Sequence, residues 1–519
     1  MSLPIEIELK FQVPKDQAAR VATEMARGST SDAPARIRMV AAYMDSADRR
    51  LARAGIAWRL RREGRRWVQT LKKGSANPLE RFEHEVRRPG PTPDASLHAG
   101  TEVGDELIAI LEQARAEGVE VDVRFRTEVW RTLRRLRTRG ATVEIAFDEG
   151  RVLGGERVAR IRELEFELVS GRVVPMVELA SRWCRRFGLV FDPRSKAERG
   201  DALADGSPLA PVRKARALDY PVDASAAQAL GEVLDECLAQ VGCNMIGLVE
   251  GDADKRVVHV HQTRVGIRRL RSALRCFADW TPAPPPDLVD DLRRLFTVLG
   301  ESRDDDVLEA GVAVELQAAG APRLTMPSAQ DVPDPVAAVG ATEAQQLLLA
   351  WIAWRAGLAA APAAGDVPVE LRDQAERRLR RWHRRIAADW KRFDTLDEEA
   401  LHSLRKRIKR QRYAVEFFAP VLRRRAVGRY LERLEAIQER MGRLNDLFVA
   451  RSRYQSLVEE EPGAWFAVGW LVAQINALLI VARPELGHLA KSEPLQARGG
   501  RSRSKPRPPA APDGWTIQG

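Results

Sequence analysis

Glu6-Ile7-Glu8-Leu9-Lys10-Phe11 decides how the first part of this chain is read. Successive side chains of a strand point to opposite faces, so Ile7, Leu9 and Phe11 share one face while Glu6, Glu8 and Lys10 share the other. A single half-buried surface strand has the same pattern. Here, however, the pattern recurs.

Further alternating stretches are Ile56–Arg62, Trp67–Lys72, Arg81–Arg87, Thr127–Leu136, Thr142–Phe147 and Ile161–Val169, with a helix over Pro175–Phe187. Their non-apolar faces differ strand by strand: Arg59 with Arg61, Lys72 with Thr70, Glu83 with Glu85, Glu144 with Asp148, and Glu163, Glu165 and Glu167 together. An open antiparallel sheet with one face on helices and one in water produces such alternation. A closed barrel of about eight strands would instead gather acids and bases inside, in a space wide enough for one small ligand. Carboxylates suit a hard divalent cation, and Arg and Lys suit phosphate oxygens, so the barrel reading points to a metal-bound polyanion. Periodicity alone leaves both readings open.

The ExExK start at Glu6, Glu8 and Lys10 resembles the signature of the CYTH superfamily, the triphosphate tunnel enzymes. The resemblance continues through Gly55, Arg59, Arg61, Lys72, Arg81, Glu83, Arg131, Glu144, Asp148, Glu163–Ser170, Gly171 and Ser195–Gly200. It implies an eight-stranded antiparallel β tunnel with flanking helices that binds a triphosphate with Mg²⁺ or Mn²⁺. By position it implies that Lys10, Arg59, Arg61, Lys72, Arg131 and Lys196 hold phosphate. Glu6, Glu8, Glu144, Asp148, Glu163 and Glu165 would hold metal, and Glu6, Glu8, Lys10 and Glu165 would carry the catalysis, with water as the nucleophile. The short Lys73–Leu79 loop and the extra Arg residues of Leu133–Arg139 depart from the pattern at the tunnel rim.

Residues 204–222, with Pro208, Pro211, Pro221 and Gly206, read as a linker. Beyond it the apolar period becomes helical. His261-Gln-Thr-Arg264-Val-Gly-Ile-Arg268-Arg-Leu-Arg271 returns as His402-Ser-Leu-Arg405-Lys406-Arg-Ile-Lys409-Arg-Gln-Arg412, and Leu299–Asp304 returns as Met441–Asp446. In both copies His and three bases stand at i, i+3, i+7 and i+10, one helical face. No acid lies between Lys255 and Phe277 or between His402 and Val415. The paired segments resemble the CHAD domain, the conserved histidine alpha-helical domain. That implies two pseudo-symmetric four-helix halves whose basic faces, His261, Arg264, Arg268, Arg271 and His402, Arg405, Lys406, Lys409, Arg412, bind inorganic polyphosphate. Asn445 stands where Arg is expected, so the second half is expected to bind differently. The basic run Arg377–Arg385 with His383 reads as solvated.

The expected architecture is therefore an α+β multidomain chain: a CYTH tunnel over 1–203, a linker over 204–222, a CHAD domain over 223–492 and a disordered basic Pro/Arg tail over 493–519. The expected activity is metal-dependent hydrolysis of inorganic triphosphate to diphosphate and phosphate. The alternatives are an inactive polyphosphate-recruitment protein and a triphosphatase acting on thiamine triphosphate or nucleoside triphosphates. A net charge of +11 suits inorganic triphosphate and polyphosphate as partners. Nucleic acid is disfavoured, because the basic faces lack interleaved aromatics for base stacking. Four cysteines without metal or redox spacing and the absence of a leader pattern suggest the cytoplasm, with polyphosphate granules as a site of association. The apolar run Trp465–Ala482 is expected to be a helix buried in a bundle, with no membrane span.

Overall fold

The computed structural model describes residues 5–27, 35–75, 77, 79–307, 311–322, 333–358, 370–492 and 495. The expected basic tail lies outside them apart from Leu495, as do the side chains of 301–310, which include Glu301–Asp304 of the first Leu299–Asp304 repeat. The N-terminal elements run β1 (Ile5–Gln12), α1 (Ala18–Ala26), β2 (Ala35–Ser46), α2 (Arg50–Arg53), β3 (Ile56–Glu63), β4 (Arg66–Gly74), β5 (Glu80–Arg88) and α3 (Glu102–Ala116). After them come β6 (Val121–Thr138), β7 (Ala141–Gly154), β8 (Arg157–Gly171), α4 (Val173–Phe187), β9 (Val190–Phe191) and α5 (Lys196–Ala204).

Antiparallel pairing runs β5-β4-β3-β2-β6-β7-β8-β1, and β1 pairs again with β5. Eight strands thus close into a barrel, and the two-residue β9 adds to the end of β1. The outward side chains Leu9, Phe11, Val143, Ile145, Leu164 and Phe166 are fully buried in a core shared with α1 and α4. Phe166 stands edge-on between Phe11 and Trp183, at 5.7 and 5.9 Å between ring centroids. A Phe→Ala truncation in such a core costs about 3–5 kcal/mol. On the opposite wall Trp58, Leu60 and Leu71 pack beneath α3 through Val103 and Leu107.

β2 is the strand that the alternation passes over. Apolar residues fall on both of its faces: Met44 turns outward into the cluster with Val103, while Met39, Ala41 and Tyr43 turn inward. The inward set meets Phe125, Val129, Val152, Ile161 and Leu203 of α5, so one end of the barrel is filled by an apolar plug. Gly200 allows the approach, since a Cβ there would lie 2.2 Å from the Phe125 ring.

The helical part comprises α6 (Ala226–Glu250), α7 (Arg256–Phe277), α8 (Pro286–Val307), α9 (Ala313–Ala318), α10 (Pro335–Gly340) and α11 (Thr342–Leu358). It continues with α12 (Leu371–Lys391), α13 (Glu398–Phe418), α14 (Arg424–Gln455) and α15 (Ala464–Ala490). Ser225 starts α6 with a reciprocal capping box through Gln228. α6, α7, α8 and α11 form one half and α12–α15 the other, meeting where Phe277 of α7 and Phe418 of α13 pack at 5.1 Å. The linker lies along the helices: Arg213 pairs with Glu236 at 2.6 Å, and Tyr220 Oη donates to the Phe417 carbonyl at 2.7 Å. The two domains share one continuous apolar core, and across it Gln346 accepts from Ser181 at 2.5 Å and Gln345 from the Phe191 N–H at 2.9 Å.

Two expectations are corrected here. The Arg377–Arg385 patch is not simply solvated: Arg378 is buried, donates to the carbonyls of Cys276 and Ala278 at 2.7 and 2.9 Å, and covers Trp280. His383 is buried against the Tyr430 hydroxyl at 2.8 Å. Nor is α15 enclosed on all sides. Ala467, Leu471, Ile475 and Ala482 are buried, whereas Trp465 is 59% and Ile480 75% exposed, and the helix is long and apolar enough to cross a membrane.

Candidate active site

Cross-strand register places the charged residues of seven strands, all but β2, on one inner surface. Lys10 lies opposite Glu165, Glu8 and Glu144 opposite Glu167, Asp148 opposite Glu163 and Arg131, and Lys72 opposite Glu83. Because side chains on one face of a ladder recur every second residue, these partners must all point inward together.

Asp148, Glu163 and Glu165 form the densest acidic group, offering carboxylate oxygens that lie within 4.8 Å of one another. Asp148 and Glu163 have no solvent exposure. Arg131 grips Asp148 through two bonds and Glu165 through one of 2.6 Å. Lys196, the first residue of α5, reaches Asp148, Glu163 and Glu165 at 2.8, 2.8 and 2.6 Å, and Arg199 adds a bond to Glu163. Burial alone would raise the carboxyl of Glu165, but Lys196 and Arg131 outweigh it and hold the group well below the usual carboxylate range. A buried, wholly oxygen, anionic donor set of this kind fits a hard divalent cation.

The other predicted acids are paired with cations nearby. Glu6 accepts from Lys72 at 2.5 Å, and burial pushes its carboxyl up to about 8 against that attraction. Glu8 pairs with Arg81 at 2.5 Å; burial opposes its ionisation, but Arg81 and Lys10 hold it at about 2. Glu144 stands apart, bonded to the exposed Arg135 at 2.8 Å. Facing it, burial and then the neighbouring Glu144 and Glu83 raise Glu167 to about 7.

Of the predicted phosphate ligands, Lys10 is 3% exposed and donates to the Arg194 carbonyl at 2.6 Å. Arg59 lies 3.7 Å from both Glu83 and Glu85, with the Tyr43 hydroxyl at 3.4 Å. Arg61 pairs with Glu85 at 3.1 Å and with Glu63, and Lys72 reaches Glu83 at 3.0 Å. The predicted list omits Arg81, Glu83, Glu85, Glu167, Arg199 and Tyr43. For Arg81, Glu83 and Glu85 the signal was present, since they alternate along β5. For Tyr43 it is absent, because Ile37, Met39, Ala41 and Tyr43, on one face of β2, include no charged side chain.

On the helical side the first basic face is partly built into the fold. Arg264 is buried, donates to the Phe296 carbonyl of α8 at 2.7 Å and stacks on that ring, with Arg268 and Arg271 over the same ring at 5.7 and 5.5 Å. His261 is half-buried beside them. On α13, Lys406 and His402 are exposed and Arg405 and Lys409 half-buried. His402 Nδ1 lies 2.9 Å from Asn445 Oδ1, so Asn445 engages the repeated histidine. The acid-free strip ends at Glu416, which accepts from Arg412 at 3.0 Å and binds Arg269 of α7.

Comparison with known proteins agrees with this layout. The CYTH domain family matches residues 4–173 and the CHAD domain family residues 232–455. An inorganic triphosphatase from Haemophilus influenzae is 26% identical over 162 residues, which span 31% of this chain and 44% of that protein. The crystal structure of the CHAD domain from the plant Ricinus communis is 30% identical, covering 56% of this chain and 99% of that one with a TM-score of 0.43. A Hippeastrum protein described as having a dominant triphosphatase activity is 17% identical, covering 40% of this chain and 98% of that one with a TM-score of 0.29. The chain carries a CYTH domain over residues 4–173 followed by a CHAD domain over residues 232–455.

Proposed function

We propose that this chain hydrolyses inorganic triphosphate to diphosphate and phosphate inside the barrel, with Mg²⁺ or Mn²⁺, and that its helical domain binds polyphosphate. The observation that carries the reading is the convergence of Lys10, Arg59, Arg61, Lys72, Arg131 and Lys196 with the Asp148–Glu163–Glu165 group inside one closed barrel. A triphosphate repels an attacking nucleophile through its own charge, and fixed cations neutralise it. Lys10, Arg59, Arg61 and Lys72 are the side chains for the phosphate oxygens. Glu6, Glu8, Glu144, Asp148, Glu163 and Glu165 are the proposed metal ligands, and a bound divalent ion would supply further neutralisation of the transferring phosphoryl group. Glu165, kept ionised by Lys196 and Arg131 and for that reason a weak base, can orient the attacking water by accepting a hydrogen bond while the water's proton passes to a phosphate oxygen. The new bond joins water oxygen to the terminal phosphorus, the bridging P–O bond breaks, and diphosphate leaves. Thiamine triphosphate and nucleoside triphosphates are the alternative substrates of the same reading.

A second reading, an inactive tunnel on a polyphosphate-recruiting protein, is favoured by one observation. The Lys196 ammonium contacts all three carboxylates of the acidic group, the place a divalent ion would take. Phosphate release from inorganic triphosphate with Mg²⁺ or Mn²⁺, beside ATP and thiamine triphosphate, separates the two. The hydrolase reading expects rapid release from inorganic triphosphate that disappears when Glu6→Gln and Glu8→Gln are combined. No release from any triphosphate overturns it.

A further inference from the structure

Between β9 and α5 runs a short strap, Asp192-Pro193-Arg194-Ser195, whose Pro193 and Arg194 carbonyls meet tunnel cations and whose Arg194 side chain reaches α6. On the tunnel side Lys10 Nζ donates to the Arg194 carbonyl at 2.6 Å and Arg81 Nη2 to the Pro193 carbonyl at 2.9 Å. The strap returns a bond from its Asp192 N–H to the Lys10 carbonyl at 2.9 Å. Arg81 is the partner of Glu8. Ser195 then caps α5, whose first residue is Lys196. Three tunnel cations therefore take their placement from one segment.

The strap is held from the other side by α6. The buried Arg194 guanidinium bonds Asp192 at 2.9 and 2.8 Å and, in a second fork, Glu250 at 3.1 and 2.5 Å. Glu250 is the last residue of α6 and also accepts from the Ala210 N–H at 2.7 Å and from Gln12 at 3.2 Å. Forked bonds to two carboxylates fix a guanidinium in both position and plane, and a single bond would leave it free to swing.

We propose that Glu250 is a positioning residue of the tunnel: through Arg194 it fixes the strap carbonyls that aim Lys10 and Arg81, so the helical domain sets how tightly the tunnel holds its substrate. The proposal rests on the tunnel being the triphosphate site. Lys10 is one of the side chains proposed to hold phosphate oxygens and Arg81 holds Glu8, so misplacing them is expected to show first in KM.

The test compares the full-length chain with Glu250→Ala, Glu250→Gln, Arg194→Ala and the Glu250→Ala/Arg194→Ala double variant. It reads steady-state hydrolysis of inorganic triphosphate and amide hydrogen exchange of the ligand-free protein. Glu250→Ala is expected to raise KM about tenfold, the size of a lost charge-assisted bond, with kcat within about twofold. Glu250→Gln, which keeps one acceptor oxygen, restores part of the loss, and adding Arg194→Ala to Glu250→Ala changes little. The Asp192 amide exchanges faster in Glu250→Ala while the β7–β8 ladder stays protected. Should Glu250→Ala not fold, Glu250→Gln carries the same comparison. Unchanged exchange at the strap overturns the proposal, as does an unchanged KM in an active enzyme. A loosened strap in a protein that hydrolyses no triphosphate defeats the hydrolase reading and leaves the positioning role standing.

Discussion

Arg131 holds Asp148 by two parallel bonds, Nε to Oδ1 and Nη2 to Oδ2, each 2.7 Å, and Asp148 has no exposure to solvent. Taking the guanidinium away leaves a buried carboxylate with Lys196 as its remaining cationic partner among the described residues, and breaking a buried pair from one side is costly. Arg131→Ala is expected to lower the unfolding free energy by about 3 kcal/mol. Denaturant titration beside Arg131→Lys, which keeps the charge but not the fork, measures how much of the loss is geometry.

Glu163 combines zero exposure with membership of the acidic group, so Glu163→Gln removes one anionic oxygen without changing volume. Mn²⁺ affinity, followed by the paramagnetic resonance of the free ion, is expected to fall by at least about tenfold. Glu128→Gln, on the outer face of β6, is expected to leave it unchanged. Equal affinities in the two variants would place the metal elsewhere.

His98 is fully buried outside the barrel, with Nε2 3.0 Å from Gln69 Nε2 and Nδ1 2.9 Å from His84 Nδ1. Burial, and then the neighbouring His84, lower it to about 4. The unfolded chain therefore binds more protons than the folded one between its ordinary value, near 6.5, and about 4. Stability should fall as pH drops through that window, by on the order of 3 kcal/mol, and level off below it. His98→Gln should flatten the dependence, read as the midpoint of urea unfolding against pH.

The two basic helices are not equivalent. Arg264 on α7 is buried and bonded to α8, whereas Lys406 on α13 is exposed. In the intact protein Lys406→Ala with Lys409→Ala should weaken polyphosphate binding and flatten its dependence on salt. Arg264→Ala should lower the melting temperature with a smaller effect on affinity. Calorimetric titration with a polyphosphate of defined length, at two ionic strengths, checks both.

The strands were legible because the charged interior leaves a two-residue rhythm on those that line it, from Glu6-Glu8-Lys10 to Glu163-Glu165-Glu167, but the same rhythm fits an open sheet, and closure into a barrel came from the CYTH resemblance. β2 carried no such rhythm, since its inner side chains meet the apolar plug instead of the charged site. The duplicated His–base helices were visible as a repeat, but the burial of Arg264 under Phe296 depends on a contact between α7 and α8 that neither segment announces. Glu250 is less legible still, because the residues it organises, Gln12 and Arg194, lie far from it in the chain. α15 misled for a related reason: composition reports how greasy a helix is, not how much of it has a neighbour.

Tyr43, Phe125 and Leu203 meet where α5 enters the barrel, and this junction gives the interior a direction. A passage stopped at one end accepts a linear molecule only by its terminus. If the barrel acts on a phosphate chain, as proposed, it would shorten it from the tip and leave internal linkages untouched, so the products would be successively shorter chains instead of random fragments.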